Sequence, residues 1–130
     1  MGLDMFVYSV PESLVADKGD TDVVLELARE VKEDVHYWRK HHDLHGWMEN
    51  LYREKGGVAQ SFNCTNVRLT EEDLDNLKKD LLEQHLPKTE GFFFGNNPPD
   101  DETLVDDLEF IVKARDAIKS GKAVFYDSWW

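Results

Sequence analysis

Cysteine occurs once in the 130 residues, at Cys64, so neither an internal disulfide nor a cysteine-rich zinc site can form, and a reducing cytoplasm is the compartment expected. Basic residues are scarce: 15 Lys and Arg stand against 27 Asp and Glu, a formal net charge of −12. That balance disfavours nucleic acid or an anionic membrane as the main partner. Long apolar runs are missing too, and Met1-Gly2-Leu3-Asp4 has no basic region, so neither a membrane span nor a secretory signal is expected. A myristoylation motif would need Ser or Thr at position 6, where Phe6 stands. Asn63-Cys64-Thr65 has the form of a glycosylation acceptor, which means nothing without a secretory route.

What is present suffices for one domain spanning residues 1–130, since a chain of this length buries about two-thirds of its unfolded surface without staples. The acidic excess is localised. From Glu71 to Glu109 there are 13 acids and 3 bases, a net of −10. Mimicry of nucleic-acid phosphates is one reading. The simpler one is that two helices begin here, because the helix dipole favours carboxylates in a first turn.

The stretch Val35 to Lys55, VHYWRKHHDLHGWMENLYREK, has no internal proline, and its period predicts one long helix. Tyr37, Trp38, His41, Leu44, His45, Met48, Leu51 and Tyr52 fall on a broad apolar face, with Arg39, Asp43, Gly46, Glu49, Asn50 and Arg53 opposite. His41 and His45, one turn apart, have the spacing of a chelating pair. The zincin Glu is missing, however, and nothing at familiar spacing completes a ligand set, so packed histidines bonded to backbone or a neighbour are favoured. No cofactor is expected. Arg39 and Lys40 read either as a solvated pair or as an anion-binding pair, a planar fork beside a point charge. His45 and Cys64 are the candidate acid/base and nucleophile; a lone cysteine is more often buried and inert.

Elsewhere, Asp4 to Val10 is apolar on both faces and reads as a central strand ended by Pro11. Thr21 or Asp22 caps a short helix over Val23 to Val31, a segment that also suits a strand. Gly56-Gly57 ends the long helix, and Val67 to Leu69 is a short strand. Thr70-Glu-Glu-Asp73 is a capping box that opens a helix with Leu74, Leu77, Leu81 and Leu82 as its stripe, bounded by Pro87. Gly91 to Gly95, GFFFG, is a short buried strand followed by an Asn-Asn-Pro-Pro turn. Asp100 or Asp101 caps the last helix, with Leu104, Leu108, Ile111 and Ile118 inward beside Val105 and Val112, and Ser120-Gly121 closes it. In AVFYDSWW, Val124, Tyr126, Ser128 and Trp130 alternate with Phe125, Asp127 and Trp129, and so aromatic a segment is expected to be docked in the fold. These elements predict an α+β class: a single two-layer domain with three or four helices on a small mixed sheet of about four short strands.

Met1 to Met5, YWRKHHDLHGW at Tyr37 to Trp47, LPKTEGFFFG at Leu86 to Gly95 and FYDSWW at Phe125 to Trp130 together resemble a family of uncharacterised small proteins of bacteriophages and bacterial genomes. The resemblance spans nearly the whole length, with Tyr37, Trp38, Arg39, Lys40, His45, Gly91, Gly95 and Ser128 at matching positions. His41 and His42 depart from it, which weakens the metal reading. It implies a phage-type accessory protein acting on a host or phage protein in the host cytoplasm, and it draws Tyr37, Arg39, Lys40 and Ser128 together as ligand-binding candidates. It supplies no mechanism. Two functions stay open: a non-enzymatic protein-binding module acting through an acidic or aromatic surface, and a small enzyme or ligand binder that holds a phosphate-like anion with Arg39 and Lys40 and uses His45.

Overall fold

The structure, a computed structural model, describes residues 3–15, 19–21, 23, 32–39, 41–62, 65–83 and 101–129. All of the short helix expected over Val23 to Val31 except Val23 itself, together with Lys40, Cys64, the bounding Pro87, the GFFFG segment with its turn, Asp100 and Trp130, lies outside the described residues.

Strand β1 (Asp4–Pro11) takes the centre of a four-stranded sheet with β2 (Glu33–Arg39) on one side and β4 (Lys122–Trp129) on the other; β3 (Val67–Leu69) flanks β4, for an order β2-β1-β4-β3. Every strand pairing among the described residues is antiparallel, where a mixed sheet is expected from the sequence. Its two-sided burial explains why β1 is apolar on both faces. Met5 and Val7 point toward the helices, while Tyr8 and Val10 join Val15, Val23, Ala123 and Phe125 in a smaller cluster on the opposite face.

Helices α1 (His42–Glu54), α2 (Glu71–Leu82) and α3 (Asp101–Lys119) supply the rest of the main core. Leu44, Met48 and Tyr52 of α1, Leu74 and Leu77 of α2, and Phe110 and Ala114 of α3 are fully buried there. Thr70 Oγ1 accepts from Asp73 N–H and the Asp73 carboxylate accepts from Thr70 N–H, the capping box its spacing requires. Gly56 and Gly121, at φ +95° and +89°, end α1 and α3 in the left-handed region open to glycine.

The single helix expected over Val35 to Lys55 is a strand followed by a helix. Residues 36 to 39 pair with β1, a bulge passes over Val35, and period-2 alternation sends His36 and Trp38 inward and Tyr37 and Arg39 outward. The switch needs neither proline nor glycine: His41 is the residue before the helix and makes no side-chain cap bond. Tyr37, expected in the core, is half exposed. Asp43 and Gly46, expected on the polar side, are buried because the first turn of α1 enters the core directly; sidedness returns with Asn50 and Arg53. Leu82, Val105 and Val112 are exposed, since each lies a step off the stripe its helix presents to the sheet.

Candidate functional site

The face of the sheet turned away from the helices is only partly covered. Register places Phe6 between Tyr37 and Asp127, and Asp4 between Arg39 and Trp129, so these side chains share that face. Phe6 is 37% exposed, Tyr37 52% and Trp129 64%. Phe6 and Tyr37 pack with ring centroids 5.4 Å apart, and the Tyr37 hydroxyl donates to Asp4 Oδ1 at 2.6 Å. That bond to a carboxylate raises the Tyr37 phenol above its usual range. Toward the covered end, Tyr8 stacks on Phe125 at 5.8 Å and the Lys32 ammonium lies 4.1 Å from the Tyr8 ring centre. Burial, with the charge of Asp127 adding to it, pushes the Tyr8 phenol far up.

Asp127 is the odd member of this face. Its Oδ1 accepts the backbone N–H of Ser128 at 2.7 Å. Burial pushes its carboxyl up to about 6, against the opposing effects of that hydrogen bond and of the Lys32 charge.

At the end of β2 a cleft of about 340 Å³ opens toward the first turns of α3, lined by Tyr37, Arg39, His41, Glu102, Thr103 and Asp106. Behind it sits Asp107, 1% exposed, whose two oxygens accept Trp38 Nε1–H at 2.9 Å and the His41 ring at 2.7 Å. A carboxylate at Nε2 fixes which ring nitrogen carries the proton, leaving Nδ1 of a neutral His41 as the acceptor. Next to it, His36 Nε2 lies 3.0 Å from Asp106.

His45 belongs to neither place. It is 1% exposed, bonded through Nδ1 to the Tyr126 hydroxyl at 2.7 Å, and packed 5.1 Å from the Phe62 ring. Burial lowers it to about 4. Tyr126 is fully enclosed, and burial raises its phenol well above the usual range, so the phenol is the donor and Nδ1 the acceptor. Ser128, also 1% exposed, points its hydroxyl into this interior, toward the Phe62 carbonyl at 3.4 Å.

Of the residues singled out from sequence, Tyr37 and Arg39 therefore come together at the surface, with His41 beside them, while His45 and Ser128 are part of the core. His41 and His45 point to different partners, Asp107 and Tyr126, and no group of three or more metal-binding side chains occurs among the described residues. Phe6, Lys32, Asp127 and Trp129 belong to no catalytic or binding motif in the sequence. The available signal was the lone aspartate in the alternating aromatic run of β4. No helix among the described residues is long and apolar enough to cross a membrane. Comparison of the chain with protein-family models, with curated proteins and with solved structures gave no match.

Proposed function

We propose that this protein is a non-enzymatic protein-binding module whose open sheet face docks a host or phage protein. The observation behind the reading is the row of Phe6, Tyr37 and Trp129, three large rings left 37–64% exposed on one face of an otherwise well-packed sheet. Aromatic side chains of this kind dominate the energetics of protein interfaces, where a ring buries its area at small entropic cost. The partner that suits it is basic around an apolar centre, because the chain brings a net charge of −12. The same charge speaks against nucleic acid.

The alternative, a phosphate-like anion held by Arg39 and Lys40 with His45 as acid/base, has less behind it. His45 is enclosed and kept neutral, and the cleft that Arg39 lines also presents Glu102 and Asp106, which repel an anion.

Affinity capture from host lysate at low and high salt, with wild type beside Phe6→Ser/Trp129→Ser, tests the docking face. The expected result is a partner retained by wild type, weakened by salt and lost from a double variant with an unchanged melting curve. Capture of the same partner by the double variant, or of none at either salt, overturns the reading.

A further inference from the structure

The docking face contains one built hollow. Phe6, Tyr8 and Trp129 wall a space of about 250 Å³ that is also lined by Asp127 and Lys32, far above the roughly 10–15 Å³ that one water needs. Three aromatic rings around a carboxylate match one ligand chemistry closely. Ring faces carry the negative end of the aromatic quadrupole, and the carboxylate adds a full charge, so an organic cation is attracted by both and an anion by neither.

Two further observations point to the same occupant. The Asp127 carboxylate makes its hydrogen bond to the next backbone N–H and no other among the described residues, which leaves acceptor capacity free. Meanwhile the chain already places a cation here: the Lys32 ammonium rests over Tyr8, 4.1 Å from the ring centre, and its charge acts on Asp127. Lys32 is itself exposed and reaches Tyr8 alone of the three rings, while Phe6 and Trp129 keep much of their surface open. Burial raises the Asp127 carboxyl, and the Lys32 charge opposes that rise without cancelling it.

We infer that this hollow is a cation cage that receives an alkylammonium side chain of the docked partner, with Lys32 as the resident group the incoming cation displaces. The inference rests on the sheet face being a docking surface, and it adds the chemistry of the contact. Lys32 then acts as a built-in competitor: without a partner it covers Tyr8, and removing it frees the cage.

The test is titration with tetramethylammonium chloride, followed at the Trp129 indole N–H by NMR and assigned by its loss in Trp129→Phe. Sodium chloride at equal ionic strength and tert-butanol, a neutral molecule of similar shape, serve as controls. Saturable shifts with tetramethylammonium alone are expected, about tenfold weaker in Asp127→Asn and severalfold tighter in Lys32→Ala. An equal response to tert-butanol, or no saturation in Lys32→Ala, overturns the cage. If Asp127→Asn and Lys32→Ala both capture the partner as wild type does while Phe6→Ser/Trp129→Ser loses it, the docking face stands and the cage falls.

Discussion

Replacing His45 with Ala should destabilise the fold by about 3–4 kcal/mol, from two separable losses. The first is the acceptor of the Tyr126 hydroxyl proton; this fully buried group keeps Ser128 as its other hydrogen-bond partner, and losing the His45 bond costs about 1–3 kcal/mol. The second is packing against Phe62 and Tyr126, where the vacated imidazole leaves a hole that rigid rings fill poorly. A pH dependence accompanies it. Folded His45 takes up a proton only near 4, whereas in the unfolded chain it does so near 6.5. Between these values the unfolded state binds more protons, so stability drops as pH falls through the window, by about 3 kcal/mol in all. His45→Asn cannot titrate and can offer an amide oxygen to the Tyr126 hydroxyl, so it should recover part of the lost stability and lose this acid sensitivity. Urea unfolding followed by circular dichroism at pH 7, 5.5 and 4.5 reads both effects. A His45→Ala protein with the wild-type midpoint at pH 7, or a His45→Asn protein as acid-sensitive as wild type, would refute the reasoning.

Asp127 should act in the opposite sense. Its folded value of about 6 lies above the ordinary 3.8, so the stability it contributes is present below 3.8 and lost as pH rises through 6. Asp127→Asn should therefore match wild type near pH 4 and exceed it above pH 6 in the same unfolding series, and His45 and Asp127 partly cancel in wild type between about pH 4 and 6. Asp107→Ala should cost about 2–4 kcal/mol by leaving Trp38 Nε1–H and the His41 ring without their acceptor, measured as a shift in the urea midpoint at constant slope. Removing Phe125 to Trp130 should abolish folding, because Phe125 and Tyr126 are fully buried and each such side chain is worth about 1.5–3 kcal/mol; a truncated protein with a wild-type melting curve would contradict this.

Where local chemistry and burial agree, the fold was legible in the sequence. Thr70 and Asp73 announce α2 through their hydrogen bonds, and β4 declares its two faces by alternation. The β2–α1 boundary was not legible. Trp38, His41, His45 and Met48 satisfy a helical period, and the strand alternation of His36 and Trp38 against Tyr37 and Arg39 is hidden inside it. Only pairing with β1 decides between the two, and pairing is a long-range property. The same ambiguity assigns Tyr37 to a buried helical face, whereas strand alternation turns it outward. His45 and Ser128 resembled site residues because they are polar within aromatic strings; the structure satisfies both internally, His45 on Tyr126 and Ser128 toward the Phe62 carbonyl. The hollow has no local signature in the sequence, because Phe6 and Tyr8 lie on β1 and Asp127 and Trp129 on β4, far apart along the chain.

The central position of β1 beside β4 has a consequence for biosynthesis. More than a hundred residues separate the two strands, and β4 is also the partner of β3. A nascent chain on the ribosome therefore carries β1 with its β4 edge unsatisfied, and β3 held among the described strands by none but β4, apart from the single bridge of Val67 to Thr21, until residues 122–129 emerge. The sheet closes in a late step dominated by distant contacts, the slow kind of folding, and during that interval an apolar strand edge is open to chaperones or to a neighbouring nascent chain.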